Sequence, residues 1–158
     1  MNDDRLAIYL NDHLALMVGE IELARRCEAS NRRAPLGEFL SRLAVEVAAQ
    51  KSIVGDILSR MGRTEDPLKK GAAWFAEKLG RFKLNDSLLS YSDLSRVVEL
   101  EALVLAAQSR VELWDTLDAL GGDERFAGIT FSYFREQSQS HCEELRSRRR
   151  FAAADAFA

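Results

Sequence analysis

Four stretches of this chain repeat apolar residues at helical spacing, and none alternates them as a strand would. With about 100° between successive residues, Leu6, Leu10, His13, Met17, Glu20 and Ala24 share one stripe of a helix from about Asp3 to about Ala29. Leu36, Phe39, Leu43, Val47, Gln50, Val54, Ile57 and Met61 form the next stripe, from about Pro35 to Met61, with Glu46 near its edge. Pro35 suits a first helical turn, where its missing N–H costs least, and Gly62 is a natural terminator. The polar connection between these helices is short, so they are expected to lie antiparallel.

Ser92 or Asp93 can cap a third helix running to about Leu120, where Gly121 and Gly122 end it. Its expected seam is Leu94, Val97, Val98, Glu101, Val104, Leu105 and Gln108. A fourth helix starts near Asp123 or Gly128 and continues to about Phe151, with Phe131, Phe134, Ser138, His141, Cys142 and Leu145 on its seam. The alanine-rich tail either extends that helix or frays. Residues 63–90 differ, being punctuated by Gly, Pro and Lys around a short apolar piece from about Ala72 to Leu79. Trp74, Phe75 and Leu79 would form a small helix there, either anchoring the crossover or contributing to a dimer surface. A connection this long can return the chain along the whole length of a bundle. The expected fold is all-α, an antiparallel four-helix bundle with a long crossover between helices 2 and 3, forming one domain over residues 1–158.

Composition narrows the function classes. A chain of 158 residues that is 47% apolar and has two prolines can bury a continuous core without staples. A formal charge of −3 predicts no general attraction to nucleic acid or anionic membrane. Cys27 and Cys142 are too few for a disulfide framework, which suits a reducing, cytoplasmic setting. The acidic N-terminus does not resemble a signal peptide. No uncharged run approaches the roughly 18 to 20 residues that span a bilayer. Phosphate-binding glycine loops, Cys-x-x-Cys pairs and nucleophile elbows are missing from the sequence.

The apolar seams admit ionisable residues, and a buried ionisable group without a partner costs several kcal/mol. Glu20, Glu46, Glu101 and His141 are therefore the candidate polar centre, with His13 two turns from Glu20. Two helical hairpins joined by a long crossover resemble the ferritin-like family, over about residues 3 to 151. Metal-binding members of that family place one Glu on each of the first and third helices and Glu-x-x-His on the second and fourth. The resemblance matches Glu20 and Glu101 to the single glutamates, Glu46 to the second-helix Glu, and His141 to the fourth-helix His. Ala49 stands where the second-helix His would be, and Ser138 where the fourth-helix Glu would be.

Each residue also has a plainer role. Glu20 can sit at the seam's edge and reach solvent or an arginine. Glu101 can pair with His or Gln, His141 can be a hydrogen-bonded core histidine, and His13 can pair with a carboxylate. Gln50 and Gln108 suggest a neutral polar network that fixes helix register. The arginine-rich end of the fourth helix reads as a solvated helix terminus favourable to the helix dipole, or as a contact for phosphate or an acidic partner. The expectation is a non-catalytic bundle without a cofactor, forming a homodimer and acting through an interaction surface or small interhelical pocket. The alternative is an iron- or manganese-binding oxidoreductase or storage-like protein using Glu20, Glu46, Glu101 and His141.

Overall fold

The computed structural model describes residues 2–65, 91–121 and 123–158. Helix α1 is Asp3–Ser30, α2 is Pro35–Arg60, α3 is Asp93–Ala119 and α4 is Phe131–Phe157. A single 3₁₀ turn, Glu124–Phe126, precedes α4. The described residues contain no strand, and none of their helices is long and apolar enough to cross a membrane. The short crossover helix expected around Trp74 and Phe75 lies outside the described residues.

Local chemistry sets the helix ends. Asn2 caps α1 by accepting the Arg5 N–H at 3.1 Å, and Ser92 caps α3 by accepting the Ser95 N–H at 3.1 Å. Past α2, Gly62 adopts φ +69, which lets its N–H reach Ser59 O while the Arg63 N–H reaches Leu58 O. That reciprocal pair satisfies two otherwise orphaned carbonyls. The fourth helix begins later than expected. Asp123 caps the 3₁₀ turn instead, and Gly128 at φ +80 redirects the chain before Phe131. At its other end α4 continues through the alanine-rich tail to Phe157.

Contacts between the hairpins define the topology. Along α1 and α3, Tyr9 meets Thr116, His13 meets Ser109 and Arg26 meets Glu99, so these helices are antiparallel. Along α2 and α4, Arg42 meets Glu144, Glu46 meets His141 and Gln50 meets Gln137, again antiparallel. With α1 antiparallel to α2, the diagonal helices α2 and α3 run the same way. The end of α2 and the start of α3 therefore lie at opposite ends of the bundle. Packing is closest within each hairpin, looser between α1 and α3, and sparsest between α2 and α4.

The core is continuous, with Leu10, Leu43, Leu100, Trp114 and Leu145 fully shielded from solvent. The expected seams of α1, α2 and α4 face it, but that of α3 does so fully only at Val97. Its buried face is Val97, Leu100, Leu103, Ala107, Arg110, Trp114 and Leu117, whereas Leu94, Glu101 and Leu105 are exposed. The reason is that α3 carries two apolar stripes. The inward one is longer and includes Trp114, the bulkiest side chain of the helix, so burying it removes more apolar surface from water.

Candidate functional site

The seams converge on a guanidinium. Arg110 of α3 and Glu20 of α1 have side chains only 1% exposed and form a bidentate pair. Arg110 Nε donates to Glu20 Oε2 at 2.8 Å, and Nη2 donates to Glu20 Oε1 at 2.9 Å. From α2, Gln50 Oε1 accepts from Nη1 at 3.1 Å; from α4, Ser138 Oγ accepts from Nη1 at 3.0 Å. His141 Nδ1 faces Nη2 at 3.3 Å. A guanidinium has five N–H groups and no acceptor, and here each finds a partner, drawn from three other helices. Such pairing is what allows a charge to be buried at all.

Because Arg110 can only donate, it fixes the groups around it. His141 must turn a lone pair toward it from Nδ1, so its proton sits on Nε2 and is donated to Glu46 Oε2 at 2.6 Å. Burial, then the charge of Arg110, holds the His141 pKa below its ordinary value, against the opposing pull of Glu46. Gln50 Oε1 also accepts Trp114 Nε1 at 2.8 Å, which orients the amide so that its Nε2 donates to Gln137 Oε1 at 2.7 Å. Ser138 gives its proton to Phe134 O at 2.8 Å. Trp114 stacks toward Phe131 and Phe134, with ring centroids 6.2 and 4.9 Å away.

This arrangement leaves little for catalysis. The Ser138 hydroxyl is not held by a base, and neither His141 nitrogen is free to accept a proton from a substrate. The network opens outward through Glu46, His141 and Gln137, into a groove of about 300 Å³ between α2 and α4 lined also by Phe39, Arg42 and Tyr133.

The anticipated metal set does not assemble. Glu20 commits both oxygens to Arg110. Glu101 lies on the outer face of α3, its side chain 51% exposed and bonded to Arg149 at 2.7 Å. Ala49, one position short of Gln50, is on the surface. Among the described residues no three His, Cys, Asp or Glu side chains are placed to hold a metal ion. Iron or manganese therefore does not fit the described residues as they are placed. Gln108, expected in the core, lies half-buried and bonds Glu112 and Arg146. His13 pairs through Nδ1 with Ser109 Oγ at 3.2 Å, not with a carboxylate, and burial lowers its pKa.

Arg110 and Trp114 escaped the sequence reading. Their signal was present in the spacing of Leu100, Leu103, Ala107, Arg110, Trp114 and Leu117, a helical stripe with one cation in it. A buried Glu20 needs a buried cation opposite, and Arg110 is the basic residue on that stripe.

A second polar cluster ties α1 to α3 nearer the end of the bundle. Asn31 Nδ2 donates to Cys27 O at 2.7 Å and to the Tyr91 hydroxyl at 3.0 Å, and Arg96 Nε donates to Asn31 Oδ1 at 3.2 Å. Arg26 reaches Glu99 Oε1 at 2.9 Å, while Glu99 Oε2 is buried without a hydrogen-bond partner among the described residues. Burial pushes the Cys27 thiol up to about 12 and also raises Cys142, so neither is a ready nucleophile.

No family model matches the chain, and comparison with curated proteins and with solved structures finds no match.

Proposed function

We propose that this protein is a non-catalytic bundle of the ferritin-like type, in which the Arg110 guanidinium stands where metal-binding members hold their ions. One observation carries the reading: a fully buried guanidinium takes acceptors from α1, α2 and α4, including Glu20, Ser138 and His141, the residues matched to metal-ligand positions. The order of the helices supports it too, since α2 and α3 run parallel on a diagonal and require a crossover along the bundle. On this reading the centre fixes the mutual register of four helices, and the protein acts through its surface. Homodimerisation in a reducing compartment belongs to the same proposal; Ile8 and Val45 offer exposed apolar side chains for it, and both cysteines are free thiols.

Elemental analysis tests this on untagged protein expressed in iron- and manganese-supplemented medium. The expected result is no stoichiometric transition metal. Two ions per chain would sink the proposal and restore the carboxylate–histidine oxidoreductase. Sedimentation equilibrium measures the dimer.

A further inference from the structure

The outward stripe of α3 has no counterpart in the centre just described. Leu94, Val98 and Leu105 lie on it at one- and two-turn steps, with Leu105 69% and Leu94 42% exposed. Between α3 and α4 the far end of this stripe reaches a groove of about 450 Å³, whose α3 side is Glu101, Val104 and Leu105. Arg146, Arg149 and Arg150 form the other side. Glu101, the one acid in the groove, is bonded to Arg149, while Arg150 has no ion-pair or hydrogen-bond partner among the described residues. Three arginines against one glutamate make this a positive strip on a chain whose formal charge is −3.

We infer that the α3–α4 groove is a docking site for an acidic amphipathic helix of a partner protein. Apolar residues at helical spacing flanked by one sign of charge are the complement of a helix with an apolar stripe and a carboxylate edge. The stripe from Leu94 to Leu105 spans about 16 Å, or three turns, at about 1.5 Å per residue. The groove is open along its length, and a small molecule in it would remain largely wet, whereas ligand pockets enclose most of their ligand. A helix ridge fits between two helices, while a lipid surface calls for a protruding apolar face. This inference rests on reading the chain as an interaction protein, but it does not depend on what fills the centre.

The test uses the full chain and a display library of helical peptides randomised on two faces. Selected peptides are expected to carry Leu, Ile or Val at i, i+4 and i+7 beside Asp or Glu. Their affinity should fall at least tenfold against Arg146→Glu/Arg150→Glu and, separately, against Leu105→Asp, with helicity unchanged by circular dichroism. Peptides without acidic residues, or binding indifferent to both variants, would overturn the inference. So would equal, variant-sensitive binding to phosphatidylserine vesicles, which would assign the groove to a membrane. A dimer of the chain abolished by Leu105→Asp would assign it to a second copy. Failure here with a metal-free centre removes the docking site alone; a stoichiometric metal removes the functional reading and leaves the peptide result standing.

Discussion

The two buried polar clusters solve the same problem to different depths. At the centre, Arg110 spends every donor on an acceptor, and four helices contribute. Among the described residues, those around Cys27 and Glu99 come from α1, α3 and their flanks; Arg26 keeps a 42% exposed side chain, and Glu99 Oε2 has no hydrogen-bond partner among them. The solvent-exposed Arg26 keeps this second cluster near the surface, where an imperfect pairing costs less. Deep in the bundle, an unpaired group has no such relief, so the network must be complete or absent. The contrast separates a cluster that merely tolerates charge from one that specifies how helices align.

The largest test of this contrast removes one half of the central pair. Arg110→Ala leaves Glu20 buried without a counter-charge and is expected to cost about 3–5 kcal/mol in urea denaturation. Replacing both, as Glu20→Leu with Arg110→Met, should recover most of that loss, because a well-packed apolar pair avoids the desolvation penalty. If the double variant is as unstable as the single one, the network does more than neutralise a charge.

Acid provides the next test. Burial holds the pKa values of His141 and His13 below their ordinary one, so the unfolded chain binds more protons than the folded protein in that window. Stability should be full above about pH 6.5 and fall as pH drops toward the folded values, by up to about 1.4 kcal/mol per pH unit for each histidine. Denaturation between pH 5 and 8 should show this slope, and His141→Gln should flatten it. A slope unchanged in that variant would mean that burial beside Arg110 does not hold the imidazole neutral.

Two smaller effects complete the series. Glu99→Gln should change stability by no more than about 1 kcal/mol, since its partner Arg26 is partly solvated; a loss as large as that of Arg110→Ala would erase the distinction between the clusters. Glu101→Ala removes an exposed ion pair and should cost about 0.5 kcal/mol or less. A larger loss would return Glu101 to a structural role.

Much of this was legible beforehand, for physical reasons that also explain the failure. In α1, α2 and α4 one apolar stripe dominates, and it absorbs Glu20, Gln50, Ser138 and His141 without losing its phase. In α3 two stripes compete, roughly 130° apart at about 100° per residue, and a local pattern cannot weigh them. The deeper stripe carries an arginine that interrupts its apolar pattern. Only pairing across helices, Glu20 with Arg110, breaks the tie, and such pairing belongs to the fold and not to the period. Of the two starts expected for α4, near Asp123 or Gly128, the later lies closer to the observed Phe131, because Asp123 is a good cap for a helix but here caps a single 3₁₀ turn.

The central guanidinium also bears on time as well as on equilibrium. Its partners lie 90, 60, 28 and 31 residues away along the chain. A lone α3–α4 hairpin can offer Ser138 and His141 but neither Glu20 nor Gln50, so Arg110 must stay hydrated until both hairpins have met. Its contacts are then expected to be weak in the folding transition state and complete only beyond it. Weakening them should leave the folding rate nearly unchanged and hasten unfolding. The residue that sets the register of the bundle would thereby act as its latch, governing how long the native state lasts once formed.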